Sequence, residues 1–194
     1  MTRLSLKQLA QSGAANGQVA GWSSAAGMWV PTTVSAGGGG GGYATGVRQI
    51  VSSPVTGVFT GTTLMLSNDS VPLSAAGTQF MTATITPQSA TSSLLVTASV
   101  GLYYLSAVGT VVSALFRDST SAAIAASSQG VGSSLGVSQV VRVIVPSNST
   151  TATTFKLRMG PTSGTPTLTF NGFNGGRYFG GVCASSITIE EFGA

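Results

Sequence analysis

The chain has 194 residues, of which eight are Lys or Arg, four are Asp or Glu and none is His. General acid–base catalysis near neutral pH relies on His, Asp, Glu and Lys side chains held in pairs, and zinc or iron sites need clustered His, Cys or carboxylate ligands. Four acids and one cysteine supply neither. The composition therefore predicts a structural or binding protein, with no catalytic residues, no cofactor and no metal.

The net charge of +4 does not by itself indicate a nucleic-acid partner. Proteins that bind polyanions cluster Lys and Arg on one face, whereas here these residues are scattered singly. No apolar run approaches the roughly 18 to 20 residues of a membrane span, and none near the start suits a secretory signal. We expect no nucleic-acid partner, no membrane insertion, and synthesis in a bacterial cytoplasm.

Residues 1–34 form a short N-terminal module in the predicted organisation. A brief helix is expected over residues 6–11, with Leu6 and Leu9 on one of its faces. Some thirty residues cannot bury enough apolar surface to fold alone, because small chains bury too small a fraction of their area. We therefore expect this module to dock on a partner or on copies of itself.

A hairpin follows the predicted helix within the same module. Its two short strands are expected over 18–22 and 28–30, and Pro31 is expected to end the second strand. Trp22 and Trp29 give the hairpin a large apolar area, which favours a role in attachment.

Six consecutive glycines, Gly37–Gly42, separate this module from the rest of the chain. A glycine run packs no side chains and has the largest backbone entropy, so it is typical of a flexible tether. We predict a linker over 35–44 and a single domain over 45–194; a tight loop inside one domain is the alternative for the glycines.

The domain at 45–194 is predicted to be all-β. Val- and Ile-rich runs alternate with Ser, Thr, Gly and Pro turns, and amphipathic helices are missing from the pattern. The predicted strands cover residues 47–52, 58–66, 80–85, 94–104, 111–117, 122–126, 138–145, 154–159, 167–170 and 185–192. Such a series indicates a jelly-roll-like antiparallel β-sandwich. Alternation is clearest at Phe155, Leu157 and Met159, which should point inward.

Low charge and many strands raise a solubility problem, because exposed strands with few charges tend to associate edge to edge. Permanent assembly would cover that surface. The runs Leu94–Val96 and Val140–Val141 break the alternation of inward and outward residues, as strands buried on both faces do. A contact between subunits is one way to bury the second face.

Two groups of residues carry a resemblance to a known family. Residues 9–19 read LAQSGAANGQV and are followed by GW at 21–22 and MWVP at 28–31. This looks like a motif of tailed-phage fibres, L-x-Q-S-G-A-x-x-G-Q-V-x-x-W-N-G-x-x-W-x-P, from which the chain departs after its first tryptophan. The second group is similar to β-rich fibre head domains and comprises ITPQSATSSLLV at 85–96, ALFRD at 114–118 and SSITIEEF at 185–192.

The resemblance implies a structural virion protein, a homotrimeric tail or head fibre located in the virion. Its partners would be copies of itself and other virion proteins (capsid, portal or adaptor, or tail), with a host-surface glycan or protein at the distal domain. Particle anchoring would rest on Leu6, Leu9, Trp22, Trp29 and Val30. The alternatives are a capsid decoration protein that binds no receptor, a free-standing lectin, and a polysaccharide-degrading tail enzyme.

The loop at 171–181 combines glycines, aromatic residues and one arginine. Exposed aromatic rings beside Arg suit a saccharide or protein receptor through stacking and hydrogen bonds. Phe173, Arg177, Tyr178 and Phe179 are thus candidate receptor contacts. The competing interpretation is that these residues fill the core or a contact within the trimer.

Acidic residues supply the last candidates. Arg117–Asp118 suits an ion pair or a turn, and Glu190 and Glu191 are adjacent on a strand and should point to opposite faces. In a trimer these acids could pair with arginines of neighbouring subunits. A glycosidase needs two convergent carboxylates, which this arrangement does not favour.

Overall fold

The computed structural model of this chain describes residues 18–25, 27–33, 46–132 and 134–193. The chain divides into two units, Met1–Ala44 and Thr45–Ala194. In the described ranges, no helix has the length and apolar character needed to cross a bilayer. The predicted helix over 6–11 and the glycine run at 37–42 lie outside the described residues.

The first unit contains an antiparallel hairpin of β1 (Gln18–Ser23) and β2 (Met28–Thr33). A turn with Gly27 at a φ of 61° joins the strands, and Gly suits this left-handed conformation because it has no Cβ. The prediction that Pro31 ends the second strand is wrong, since Pro31 pairs with Ala20 and the strand continues. A two-stranded ribbon consists of edge strands, where proline is tolerated.

The second unit contains two antiparallel sheets. The smaller sheet has the strand order β5–β10–β7–β8: β5 (Thr78–Ile85), β10 (Thr153–Pro161), β7 (Gly109–Arg117) and β8 (Ala125–Val131). The larger sheet is built on β3 (Val47–Val55), β14 (Ser185–Phe192), β6 (Ser93–Leu105) and β9 (Gly136–Pro146), extended by β11 (Leu168–Phe170) and β4 (Phe59–Gly61). A small hairpin of β12 (Gly172–Phe173) and β13 (Gly176–Arg177) precedes a 3-10 turn at Phe179–Gly181.

The long strand β6 organises the larger sheet. Its residues 93–99 pair with β14, and its residues 103–105 pair with β11 further along the same edge. Strand β9 pairs along the opposite edge of β6. At the sides of the sandwich β8 adjoins β9 and β3 adjoins β5. The predicted all-β antiparallel sandwich is therefore confirmed.

The core lies between the two sheets. Phe155, Leu157 and Met159 of β10 are buried there, as their alternation predicts. Phe80 of the smaller sheet stacks on Phe170 of the larger one, with ring centroids 4.9 Å apart. Contacts of this kind fix the spacing of the sheets, because interiors pack as densely as organic crystals.

A loop over residues 62–77, here called the covering loop, lies on the outer face of the smaller sheet. Its Met65 is buried against Val112, Ala114 and Phe116 of β7 in a second apolar cluster. The Met65 amide donates a hydrogen bond to the Pro161 carbonyl, at 2.9 Å. The predicted strand over 58–66 is therefore too long: β4 ends at Gly61, and the chain then crosses to the other sheet.

Candidate functional site

The titratable side chains of the described residues do not converge. No three His, Cys, Asp or Glu side chains within those ranges lie close enough to hold a metal ion together. Asp69 lies exposed in the covering loop and Asp118 follows β7. Glu190 and Glu191 point to opposite faces of β14, since Glu190 is half-buried and Glu191 is inaccessible.

Arg117 and Asp118 form an ion pair within one chain, with 3.6 Å between Arg117 Nε and Asp118 Oδ2. The guanidinium also donates to the carbonyls of Pro146, at 2.7 Å, and Ser147, and lies over the ring of Phe155. These contacts fasten the end of β7 to the turn after β9. They give both residues a role inside the subunit.

Glu191 is a buried carboxylate surrounded by neutral donors. It accepts hydrogen bonds from the Ser92 hydroxyl and the Gln49 amide, both at 2.5 Å, and from the backbone amides of Gln88 and Ser89, at 2.9 and 3.2 Å. Burial opposes ionisation, but these hydrogen bonds outweigh it and hold the pKa of Glu191 below the usual glutamate value. Glu191 therefore fastens the 86–92 loop of its own chain, which leaves Glu190 as the acid that faces outward.

The outer face of the larger sheet carries a row of three apolar residues and one glutamate across four strands. Strand pairing aligns Ile50 with Glu190, Glu190 with Leu95, and Leu95 with Ile144. Partners in register point to the same side of a sheet. Ile50 is 61% exposed and Ile144 is 67% exposed, whereas Leu95 between their strands is 6% exposed. We call this the open face.

Two residues further along each strand, the next row of the open face contains Ser52, Thr188, Thr97 and Arg142. Strand spacing and rise place the Cα atoms of Arg142 and Glu190 about 12 Å apart. Within the described residues neither side chain has an ion-pair partner. The open face thus presents Glu190 and Arg142 on its two halves, with isoleucines beside them, and Arg48 of β3 is also exposed.

The runs Leu94–Val96 and Val140–Val141 predict a second contact face on β6 and β9, but they do not identify Ile50, Arg142 or Ile144 as its members. In β9 the outward residues Val140, Arg142 and Ile144 alternate with the inward residues Val141 and Val143. Apolar residues at both parities indicate a strand with two contact faces. The run Val140–Val141 was predicted to belong to a strand buried on both faces. In the single chain Val141 is buried and Val140 is exposed.

Four predicted contact residues lie around the small hairpin. Phe173 is half-buried, and Arg177, Tyr178 and Phe179 are exposed. The Phe173 ring packs at 4.2 Å from that of Tyr104 on β6, a neighbour that the sequence analysis did not identify. The hairpin residues are therefore surface residues attached to one end of the larger sheet.

Two of the predicted anchoring residues have described side chains. On β2 of the N-terminal hairpin, Trp29 is exposed and Val30 is half-buried. Trp22 pairs with Trp29 in the backbone register. The side chain of Trp22 and the residues Leu6 and Leu9 lie outside what the structure describes.

Comparison with known proteins gives one family and a set of distant structures. The family model described as the Pgp3 C-terminal domain matches residues 54–193. No curated protein matches the chain. Among solved structures, the infectious bursal disease virus VP2 subviral particle is 14% identical, with a TM-score of 0.36 over 75% of this chain and 37% of that chain.

A second viral structure, that of the infectious bursal disease virus Gt strain, is 13% identical with a TM-score of 0.36, and the match covers 86% of this chain and 40% of that chain. The chain thus spans less than half the length of these viral chains. At such scores the likeness does not establish a common fold.

The matched family corrects the functional prediction. The assignment to tailed-phage fibres is wrong, and with it the fibre function, its decoration and tail-enzyme alternatives and the virion location. The predicted partners stay a prediction. The motif at 9–31 lies outside the matched residues 54–193. The C-terminal stretches at 85–96, 114–118 and 185–192 lie within the residues that this family model matches. The match covers most of the sequence, and the chain belongs to the Pgp3 C-terminal domain family.

Proposed function

We propose that this chain is a non-catalytic, self-associating β-sandwich module, and that three identical copies join through the open face. The observation that carries the proposal is the contrast between the two outer faces of the sandwich. The covering loop buries Val112, Ala114 and Phe116 on the outer face of the smaller sheet, whereas Ile50 and Ile144 on the outer face of the larger sheet remain exposed. A second copy of the same chain is the proposed cover.

Charge complementarity supports a copy of the same chain as the occupant. Glu190 lies on the half of the open face towards β3, and Arg142 lies on the half formed by β9. When three such faces meet around an axis, the β3 half of each copy faces the β9 half of the next. Each Glu190 then meets an Arg142, and each Ile50 approaches an Ile144, so charge and apolar surface are matched together.

The charge content of the whole chain supports the same proposal. Twelve formally charged residues in 194 leave little repulsion to keep exposed strands apart. Burial of the apolar residues of the open face on association removes this surface from water, which is favourable at about 25 cal/mol per Å².

The absence of catalysis is proposed from the disposition of the ionisable groups. The acid of the Arg117–Asp118 pair and the buried Glu191 are both engaged in structural contacts. The sequence contains no histidine that could act as a base for Cys183. Burial also raises the pKa of the Cys183 thiol, so the nucleophilic thiolate form is disfavoured. These groups hold the fold together and are not arranged to transfer protons.

Sedimentation of the full chain tests the proposal. We expect a particle of three times 19.3 kDa at micromolar concentration. Charge reversal by Glu190→Arg places two cations opposite each other and should yield monomers, and so should Arg142→Glu. The double variant restores opposite charges across the contact and should recover the trimer.

A matched control separates the open face from general surface effects. Ile144→Asp should dissociate the assembly, whereas Val108→Asp, on a turn residue that is also strongly exposed, should leave it intact. Circular dichroism should show folded protein for both. A wild-type chain that sediments as a monomer, or a Glu190→Arg variant that stays assembled, would refute the proposal.

A further inference from the structure

The small hairpin at the end of the larger sheet carries a line of four aromatic rings, here called the aromatic row: Tyr104, Phe173, Tyr178 and Phe179. Successive ring centroids are 4.2, 5.6 and 4.4 Å apart. The row begins with the half-buried Tyr104 on β6 and ends with Tyr178, 44% exposed, and Phe179, 64% exposed. Two large rings are therefore presented to solvent on an aromatic support.

Phe179 is held in a costly backbone conformation. Its φ is 48°, in the left-handed region, and Gly180 and Gly181 follow with φ values of 65° and 93°. A bulky residue in this region is a genuine outlier, and its backbone conformation is energetically unfavourable. Glycine would adopt the same backbone without that cost. The Phe179 ring is exposed to solvent, so its burial within the chain does not offset the unfavourable backbone conformation.

The base of the hairpin is fixed. Asn171 is buried, and its side chain donates to the Val55 carbonyl at 2.7 Å and accepts from the Ser185 hydroxyl at 2.6 Å. The Gly175 amide donates to the Thr169 hydroxyl at 2.9 Å. Because the support is ordered in the free chain, a ligand would not have to order the loop when it binds.

Arg177 lies beside the exposed rings without an acidic partner. The ion pair within the described ranges is the Arg117–Asp118 contact, and Arg177 shares no hydrogen bond with the residues described. Its Cδ, Nη1 and Nε lie against Gly181, at 2.8, 3.3 and 3.5 Å from the position that a Cβ would occupy there. The arginine side chain thus crosses the loop over this glycine, and because Arg177 is exposed its planar guanidinium remains accessible to a carboxylate.

We propose that Arg177, Tyr178 and Phe179 form a binding site for a carboxylated saccharide. The C–H face of a pyranose ring would stack on the exposed aromatic face, and the sugar carboxylate would pair with the Arg177 guanidinium. The Tyr178 hydroxyl is available for the ring hydroxyls.

Two other ligand classes fit less well. Single-stranded nucleic acid also stacks on aromatic rings, but its binding needs a groove with several cations along the backbone, and this loop has one. A protein partner would need a broader apolar patch than Tyr178, Phe179 and the nearby Val182 provide.

The site is separate from the proposed subunit contact. Tyr104 is nine residues beyond Leu95 on β6, which corresponds to roughly 25–30 Å along the strand. Charge reversal on the open face should therefore leave saccharide binding intact, and failure of either proposal would not decide the other.

Titration of the full chain with tetragalacturonate, followed by calorimetry, tests the site. We expect measurable binding that weakens at high salt, because a charge pair contributes to it. Arg177→Gln should weaken binding about 10-fold or more, since it removes a charge-assisted hydrogen bond. The methyl ester of the same oligosaccharide keeps the sugar rings and loses the charge. It should bind the wild-type chain as weakly as tetragalacturonate binds the Arg177→Gln variant.

Phe179→Gly distinguishes a ligand contact from a structural residue. Glycine relieves the left-handed strain, so thermal stability should be unchanged or higher, while saccharide binding is lost. Val182→Ala, at a nearby residue that is 81% exposed, is the control and should bind normally. The proposal is overturned if tetragalacturonate does not bind, or if its methyl ester or oligo-dT binds the wild-type chain as tightly as tetragalacturonate does. It is also overturned if the Phe179→Gly variant melts at a lower temperature and binds tetragalacturonate normally.

Discussion

Buried polar side chains in this sandwich differ in whether they have hydrogen-bond partners. Glu191 holds its charge inside the fold through neutral donors, and the side chain of Arg117 fastens one turn through backbone carbonyls. By contrast, the hydroxyl of Tyr103 and the amide nitrogen of Gln139 are buried without a hydrogen-bond partner among the described residues. The hydrogen bonds of Glu191 and Arg117 stabilise the fold, whereas burial of the Tyr103 hydroxyl and the Gln139 amide nitrogen lowers its stability.

Acid should destabilise the fold through Glu191. Because the folded-state pKa lies below the usual glutamate value of 4.5, the contribution is complete above that pH and is lost as pH falls through the folded pKa. Glu191→Gln removes charged acceptor sites and should cost at least about 2 kcal/mol at neutral pH. Thermal melts over a pH series measure both effects.

The control for this series is Asp69→Asn, because Asp69 is exposed in the covering loop. Its stability curve between neutral and acid pH should follow that of the wild type. An unchanged acid limb in Glu191→Gln would show that the carboxylate contributes nothing to the fold.

Tyr103→Phe should be neutral or stabilising. Tyr103 is inaccessible to solvent, its hydroxyl has no hydrogen-bond partner within the described ranges, and burial raises the pKa of this phenol. Removal of a polar atom without a partner recovers its desolvation cost, which is about 1–3 kcal/mol. A melting temperature several degrees below that of the wild type would instead indicate a buried water that bridges the hydroxyl.

At the scale of elements, the covering loop depends on one glycine. Gly77 has a φ of 63°, and a Cβ there would lie 2.6 Å from Met65 Cε and 2.8 Å from the Met159 carbonyl oxygen. Gly77→Ala therefore combines backbone strain with a clash and should destabilise the fold by about 2–4 kcal/mol, as chemical denaturation would measure.

Gly130→Ala is the matched control for this substitution. Gly130 lies in β8, and no atom approaches the position of a Cβ. Its effect should stay within about 0.5 kcal/mol of zero, as for a surface substitution. Equal losses for the two variants would mean that the close approach at Gly77 is relaxed elsewhere.

The elements also show how far sequence patterns reach. The β class and the burial of β10 were predictable, because alternation depends on neighbouring residues alone. The covering loop was not, since Leu64 and Leu66 alternate like strand residues although the chain has left the sheet after Gly61. Strand β8, expected over 122–126, extends from Ala125 to Val131 for a similar reason. Ser and Gly in this stretch resemble a turn, and pairing with β7 overrides that local preference.

The candidate sites were predictable to different degrees. The rings at Phe173, Tyr178 and Phe179 were identified from composition. The function of Glu191 was not, because its donors come from residues about 100 to 140 positions earlier in the chain. The open face required the register of four strands, which sequence alone does not fix.

At the scale of the whole molecule, the sandwich should be an independent folding unit. Its described strands, core and hydrogen bonds lie within residues 46–193, and about 150 residues bury enough surface for a stable domain. A fragment of residues 45–194 should melt cooperatively within a few degrees of the full chain. A fragment without a cooperative transition would show that residues 1–44 are part of the fold.

The covering loop has a consequence for aggregation. A sandwich with two bare sides could add subunits at both and grow into unlimited stacks. Here Met65 of the covering loop shields Val112, Ala114 and Phe116 on one side, while Leu66, Val71 and Leu73 of the same loop stay exposed. In the proposed trimer the subunits would join through the open face alone, and a closed ring of three copies would leave no such face for a fourth.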